Sequence, residues 1–167
     1  YFGITTNSEG IDTKEAGYTG LERFVGITPK GTETLLTLRM LNVDTNTQIL
    51  NNKKLQEKII KETIHTAKQY GFSGIVLDLE FSSLPFATIT QQITGFTEIF
   101  YTEAKKENLQ FSMLLYGDTF YRFRPYDVIA LVPHTDQIFV MAYDFHKARR
   151  DPGPTFPFTD KETYGYD

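Results

Sequence analysis

Residues 74–80 read Gly-Ile-Val-Leu-Asp-Leu-Glu, an apolar run that ends in two carboxylates, Asp78 and Glu80. Successive side chains of a β-strand point to opposite faces, so the two acids share one face about 6.6 Å apart along the backbone. At that spacing a charge on one acid disfavours ionisation of the other, which lets one acid keep a proton for acid–base catalysis. On spacing alone, a strand that ends in a solvated loop explains the same residues equally well.

The strand that carries these acids belongs to a repeating pattern of short apolar runs and amphipathic stretches. This pattern is typical of an α/β protein built around a parallel sheet. A run buried on both faces indicates a parallel strand, and barrel enzymes place their catalytic groups where such strands end. Five strands are predicted, over 1–5, 34–40, 74–79, 109–116 and 137–142.

Two long amphipathic helices are predicted between these strands. Apolar residues at helical spacing predict a helix over 52–70, and Gly71 supplies its stop. A second helical stripe predicts a helix over 88–104, at the start of which Thr88 and Gln91 resemble a capping box. Each helix is expected to pack its apolar stripe against the sheet.

The remaining segments give weaker signals. Short helices are predicted over 20–24 and 126–131. Residues 43–47 include acidic and amide side chains but lack the other ligands and the glycine of a calcium loop, so they are interpreted as a turn. The proline-rich stretch 151–158 is predicted to be a loop after the fifth strand.

The composition excludes several function classes. The chain has 167 residues, 40% of them hydrophobic and 23% charged, and its net charge is -4, so nucleic acid is not an expected partner. No apolar stretch is long enough to predict a membrane span, and the first residues lack the basic, apolar and small-residue order of a signal peptide. Cysteine is absent and the three histidines are dispersed, so no metal site is predicted. Because the chain begins at Tyr1 rather than Met, we expect a processed or excised piece.

Two ordered motifs resemble those of a known enzyme family. Residues 70–80, YGFSGIVLDLE, resemble the fourth-strand signature of glycoside hydrolase family 18, the chitinase-like enzymes, which is usually D-G-x-D-x-D-x-E after a Gly-Phe or Gly-Tyr. Residues 136–146, DQIFVMAYDFH, resemble the sixth-strand signature D-x-x-x-x-M-x-Y-D of the same family. Gly153, Pro154 and Pro157 resemble the loop that follows.

This resemblance implies a (β/α)8 TIM barrel with its cleft at the carboxyl ends of the strands. A complete barrel typically needs about 250 residues, so 167 residues are too few for eight units. We therefore expect residues 1–167 to form a single catalytic barrel domain that is incomplete at both ends. Strands two to six would be present, and the first, seventh and eighth would be missing.

The resemblance also implies a reaction, retaining hydrolysis of β-linked N-acetylglucosamine polymers such as chitin, peptidoglycan or N-glycans, with assistance from the substrate. By motif position, Glu80 would be the general acid and base. Asp78 would orient the 2-acetamido group, whose carbonyl oxygen attacks the anomeric carbon, and Tyr143 would donate its hydroxyl to that group. Asp144 and Met141 would line the sugar subsite.

Further expectations follow from the same resemblance. The partner would be an oligo- or polysaccharide containing N-acetylglucosamine, no cofactor is implied, and a secreted or cell-wall location is expected. Tyr116 closes another predicted strand and is a candidate sugar contact, although a turn at 117–118 explains it equally well.

The chain departs from the family pattern at two acidic positions, which hold Ser73 and Val76. Without an acid at 76, Asp78 lacks the second carboxylate with which it would share a proton as it turns toward the substrate. A non-catalytic, carbohydrate-binding relative is therefore an alternative, although retention of Glu80 favours an enzyme. A second alternative is an open-sheet α/β protein, in which the two acids are a chance pair near a nucleotide or partner site.

Overall fold

The computed structural model describes residues 1–81, 86–120 and 122–143. Within these ranges the chain forms one mixed sheet with helices between its strands. None of the helices in these ranges is long and apolar enough to cross a membrane.

Six strands form the described sheet, in the order β2-β1-β3-β4-β5-β6. Their bounds are β1 Phe2–Asn7, β2 Gly10–Ile11, β3 Leu35–Met40, β4 Gly74–Leu79, β5 Gln110–Tyr116 and β6 Gln137–Met141. The two-residue β2 is antiparallel to β1, and the other neighbours are parallel.

The helices alternate with the parallel strands. Their bounds are α1 Ala16–Thr19, α2 Leu21–Ile27, α3 Val43–Leu50, α4 Lys53–Gln69, α5 Ala87–Lys106 and α6 Val128–Leu131, and a 3-10 turn at Val132–His134 follows α6. The strand order β1-β3-β4-β5-β6 never reverses. Because parallel crossovers are right-handed, an unreversed order places all the connecting helices on the same side of the sheet.

The core confirms this one-sided arrangement. Along β3, β4 and β5, alternate residues belong to a single hydrophobic cluster with the helices α4 and α5. The strand members of this cluster are Leu36, Leu38, Met40, Ile75, Leu77, Leu79, Phe111, Met113 and Leu115. A doubly wound open sheet carries helices on both faces and reverses its strand order, so the open-sheet alternative does not fit this topology.

The opposite face of the sheet, which we call the inner face, has a different composition. The registered pairs Thr37↔Val76 and Arg39↔Asp78 place these residues side by side on it. Ser112 lies beside Val76 on the next strand. Polar and charged side chains on a largely buried face are a common feature of functional sites.

The predicted long elements are confirmed. β4 has the predicted bounds, the other four predicted strands are displaced by at most two residues at either end, and α4 and α5 match the predicted long helices. Gly71, with φ of 72°, ends α4 in the left-handed region, where a residue without Cβ is favoured.

Two local predictions are wrong. Residues 43–47 are not a turn but the first part of α3, in which Asn42 caps the helix by accepting a hydrogen bond from Thr45 N over 2.9 Å. Of the polar residues in this segment, Asn46 is buried and donates hydrogen bonds to Met40 O and Glu80 O. Thr88 and Gln91 do not form a capping box, because α5 begins at Ala87 and its N-cap, Phe86, makes no side-chain cap bond.

Candidate active site

Glu80 lies immediately after β4, at the carboxyl end of the strand, and is half-buried. Its backbone N–H donates to Met40 O over 2.9 Å, which extends the pairing with β3 by one residue. Its backbone carbonyl accepts from Asn46 Nδ2 over 2.9 Å, and the same amide also donates to Met40 O over 2.8 Å. Asn46 is fully buried on α3, so this helix fixes the backbone that carries Glu80.

A second side chain holds the backbone on both sides of Glu80. The Tyr126 hydroxyl donates to Leu79 O over 2.7 Å and accepts from Phe81 N over 3.0 Å. Burial raises the pKa of Tyr126, so this hydroxyl keeps its proton. Asn46 and Tyr126 thus hold the backbone of residues 79–81, which we call the strand exit, from α3 and from the segment before α6.

The Glu80 carboxylate is bound from the neighbouring strand. Tyr116, the last residue of β5, donates its hydroxyl to Glu80 Oε2 over 2.9 Å. Burial is the largest cause that raises the pKa of Tyr116, and the nearby Tyr126 and Glu80 raise it further. Tyr116 therefore acts as a hydrogen-bond donor to the carboxylate.

The Tyr116 ring is itself held by an ion pair. The Arg124 guanidinium stacks 4.4 Å from the centroid of that ring. Arg124 Nε and Nη2 donate to the two carboxylate oxygens of Asp118 over 2.9 and 2.7 Å. These hydrogen bonds are the main cause that lowers the pKa of Asp118. The bidentate pair thus fixes a cation against the face of Tyr116.

Asp78 lies below Glu80 on the inner face, and its side chain is only 1% exposed. The nearest cation is Arg39, whose Nε lies 3.9 Å from Asp78 Oδ2, beyond hydrogen-bond distance. Among the described residues neither carboxylate oxygen of Asp78 has a hydrogen-bond partner. Burial raises the pKa of Asp78 to about 6, Glu80 adds to the increase, and Arg39 opposes it.

Of the residues predicted in the sixth-strand motif, Met141 lies on β6, the strand beside Tyr116. Met141 is the registered partner of Tyr116 and is half-buried. Tyr143 lies two residues beyond the end of β6 and is 47% exposed. Asp144 lies outside the described residues, as do His146 and the predicted proline-rich loop. The structure thus brings Asp78, Glu80 and Tyr116 together and places Met141 on the adjoining strand.

Four residues of this site were not predicted from the sequence. Arg39, Asn46 and Tyr126 contribute an ion pair and backbone hydrogen bonds to the strand exit. Arg124 stacks on the Tyr116 ring. Arg39 is an arginine within a predicted apolar strand, which was a usable signal. Asn46 and Tyr126 gave no such signal, because each bonds backbone groups of β4 or its end that lie 34 to 47 positions away in sequence.

A groove on the opposite side of the sheet is separate from this site. It has a volume of about 890 Å³ and lies between α4 and α5, where Ile60, Ile64 and Ile99 meet charged residues such as Lys61 and Glu103. In the parts of the chain that the structure describes, no three His, Asp or Glu side chains cluster closely enough to hold a metal ion.

Comparison of most of the sequence with models of known families identifies the family of this chain. The family model for "Glycosyl hydrolases family 18" matches residues 40–165. The chain belongs to this family. In sequence it is 26% identical over 137 residues to the Bacillus subtilis (strain 168) protein "Putative sporulation-specific glycosylase YdhD", over 80% of this chain and 32% of that protein.

Solved structures similar to this family 18 chain share its fold. The crystal structure of the B. subtilis protein superposes with a TM-score of 0.73 at 21% identity, covering 93% of this chain and 53% of the solved one. The Bacillus cereus spore cortex-lytic enzyme SleL gives 0.72 at 22% identity, over 86% of this chain and 33% of its own. A mutant class V chitinase from Nicotiana tobaccum in complex with NAG4 gives 0.71 at 19% identity, over 86% and 45%.

These superpositions confirm the predicted α/β barrel class. The five parallel strands and the helices on one side match part of a TIM barrel. The family 18 chain spans about a third of its curated relative and between a third and about half of these solved chains.

Proposed function

We propose that this chain forms part of the catalytic barrel of a retaining glycoside hydrolase that cleaves β-linked N-acetylglucosamine polymers. The observation that carries the proposal is the placement of Glu80 at the carboxyl end of a barrel strand. Its carboxylate accepts a hydrogen bond from Tyr116, and Asp78 precedes it by two residues. Family membership supports the same class of reaction.

Glu80 is the proposed general acid and base. It protonates the leaving glycosidic oxygen, and it then takes a proton from the water that completes hydrolysis. The hydrogen bonds of Asn46 and Tyr126 to the adjacent backbone limit movement of Glu80 at the strand exit. Such fixed positioning of the reacting group is a large part of what an active site supplies.

Asp78 is the proposed partner of the substrate's 2-acetamido group. The acetamido N–H donates to the Asp78 carboxylate, and the acetamido carbonyl oxygen attacks the anomeric carbon in place of a protein nucleophile. Because Asp78 is buried and its oxygens have no hydrogen-bond partner among the described residues, it meets the sugar only after its side chain turns toward the cleft. A buried carboxylate without a hydrogen-bond donor is costly, which favours that turn once a donor arrives.

Other predicted residues complete the sugar site. Tyr143, which is partly exposed beyond β6, donates its hydroxyl to the acetamido carbonyl. Met141 and Asp144 line the subsite, and Tyr116 is both a sugar contact and the donor to Glu80. Similar folds solved with NAG4 or (GlcNAc)4 support an N-acetylglucosamine oligomer as the ligand. The similar spore cortex-lytic enzyme supports peptidoglycan as one candidate polymer.

Hydrolysis assays test this proposal against a carbohydrate-binding protein without activity. Wild type and Glu80→Gln are compared on a chromogenic chitobioside, on chitin oligomers and on peptidoglycan, with oligomer binding measured by calorimetry. We expect wild type to hydrolyse at least one substrate, and Glu80→Gln to retain binding but lose about a hundredfold or more in kcat. If both proteins bind oligomers and neither hydrolyses any substrate, the chain belongs to a binding protein.

A further inference from the structure

We propose that Arg39 is a positioning residue that pairs with the Asp78 carboxylate in place of the acid that Val76 replaces. This inference rests on the proposed function, because it concerns the resting partner of Asp78. In the family pattern, the residue at position 76 would be a second carboxylate able to share a proton with Asp78. In this chain the nearest charge to Asp78 from a neighbouring strand is a guanidinium.

The sheet register produces this pairing. Arg39 on β3 is the registered partner of Asp78 on β4, and parallel neighbours in register point to the same face. Arg39 Nε is buried and lies 3.9 Å from Asp78 Oδ2. The Arg39 guanidinium also lies 4.9 Å from the centroid of the Phe2 ring, which fixes it from the β1 side. The cation is therefore held in place next to Asp78 by two strands.

Few other charged or titratable groups act on Asp78. Glu80 on the same strand opposes its ionisation, whereas Arg39 on β3 favours it. The Tyr126 hydroxyl, from the segment before α6, is engaged with the backbone at Leu79 and Phe81. On β5 the nearest titratable group is Tyr116, which donates to Glu80. Among these described neighbours, Arg39 supplies the positive charge.

A guanidinium partner changes the proton balance of the reaction. Two neighbouring carboxylates share one proton, so an Asp78 paired with an acid must leave that proton behind when it turns toward the sugar. An Asp78 paired with Arg39 needs no shared proton, because Arg remains charged throughout. Since the two groups are close but not hydrogen-bonded, the turn breaks no hydrogen bond. Asp78 is then an anion both in its resting position and on the acetamido N–H.

Carboxyl titration by 13C NMR tests the pairing independently of activity. Wild type, Arg39→Met and Arg39→Lys are compared in the intact protein, with Arg23→Met on the exposed side of α2 as the matched control. An opposite charge at this distance lowers a carboxyl pKa by about one to three units. We expect the pKa of Asp78 to rise by about that amount in Arg39→Met, and Arg39→Lys to restore at least half of the change. An unchanged Asp78 titration in both variants overturns the inference.

Restoring a carboxylate at position 76 gives a second test, because a purely structural role of Arg39 would not change the pH dependence of kcat. Val76→Asp is made in wild type and in Arg39→Met, and the pH profile of kcat is measured for all four proteins. We expect Arg39→Met to shift the acid limb of kcat upward by about one to three pH units. Val76→Asp should improve turnover at neutral pH several-fold in the Arg39→Met protein and not in wild type.

The two proposals fail in different ways. If wild type hydrolyses no substrate, the proposed function fails, and the NMR titration still decides whether Arg39 is the partner of Asp78. If wild type is active but Arg39→Met keeps the wild-type acid limb, Arg39 is not a positioning residue. Thermal unfolding of each variant shows whether a loss of activity reflects a loss of the native state. If Arg39→Met fails to fold, Arg39→Lys, which retains the positive charge, is compared with wild type instead.

Discussion

The Tyr116 hydroxyl lies 2.9 Å from Glu80 Oε2 and donates a hydrogen bond across two neighbouring strands. This single contact joins the end of β5 to the end of β4, which is where a barrel enzyme assembles its catalytic groups. It also gives Tyr116, which a simple turn would have accounted for, a direct contact with the proposed general acid. If Glu80 is the general acid, as proposed, this donor fixes the direction in which its carboxyl group presents the proton.

Removal of this hydroxyl should reduce turnover. In Tyr116→Phe the ring remains, but a hydrogen bond to a charged group is lost, which is worth about 1.5–3 kcal/mol. We expect kcat to fall by about tenfold to a hundredfold, with a smaller change in KM, in steady-state assays on the substrate that wild type prefers. Tyr101→Phe on α5, on the other side of the sheet, is the matched control and should retain wild-type kcat. Equal kcat in both variants would remove Tyr116 from the catalytic machinery.

The ion pair behind Tyr116 should act only through that ring. Arg124→Met removes the stacked cation and leaves Asp118 without its bidentate donor. We expect kcat/KM to fall by about twofold to fivefold, since a cation–π contact at a partly exposed site is worth about 0.5–1 kcal/mol. Combined with Tyr116→Phe, the loss should be less than additive, because the two residues are in contact. Strict additivity in this double-mutant cycle would indicate that Arg124 acts by a separate route.

Tyr126→Phe should affect stability and activity together. The substitution leaves Leu79 O and Phe81 N, both at the strand exit, without their buried partner. An unsatisfied buried group costs about 1–3 kcal/mol, so the free energy of unfolding in urea should fall by about that amount. Turnover should also fall, because Glu80 lies between these two backbone groups. A destabilised variant with wild-type kcat would show that Tyr126 supports the fold but not the position of Glu80.

Asp78 should make stability depend on pH in the opposite direction from an ordinary paired acid. Because the pKa of Asp78 is raised from 3.8 to about 6, the folded chain binds more protons than the unfolded chain between about pH 4 and 6. Stability contributed by this group therefore falls as pH rises through that window and is level above it. Asp78→Asn removes the titration and should be more stable than wild type at pH 7.5, by on the order of 1–3 kcal/mol.

Urea unfolding of wild type and Asp78→Asn at pH 4 and pH 7.5 measures this effect. The two proteins should have similar stability at pH 4, where Asp78 is protonated, and differ at pH 7.5. A constant difference at both pH values would mean that the substitution acts through packing and not through the charge of Asp78.

Much of the fold could be predicted from the sequence because its long elements have a clear period. The apolar run 74–79 has the continuous hydrophobicity of a strand buried on both faces, and the helical stripe 52–70 repeats the pattern of one buried face. Both elements were found within one residue of their predicted ends. Helix α3 was missed because it has only eight residues, and a run of polar residues follows its first residue, Val43. Its polar Asn46 is buried because it bonds the ends of β3 and β4, which no local pattern reveals.

The site was predictable only where a motif carried it. Asp78 and Glu80 were recognised from their spacing and their place at a strand end. The pairing of Arg39 with Asp78 depends on the register between β3 and β4, which are separated by 33 residues of sequence. Such a register is set by the packing of the sheet. The catalytic and sugar-binding roles of all six predicted site residues stay predictions, namely Glu80, Asp78, Tyr143, Asp144, Met141 and Tyr116.

The stereochemistry of hydrolysis tests the central claim most directly. Fresh product from a chitin oligomer is followed by 1H NMR before mutarotation, and the same oligomer without its N-acetyl groups is assayed in parallel. If the substrate's acetamido group is the nucleophile, wild type releases the β-anomer first and leaves the deacetylated oligomer intact. Initial release of the α-anomer, or comparable cleavage of the deacetylated oligomer, would contradict the account.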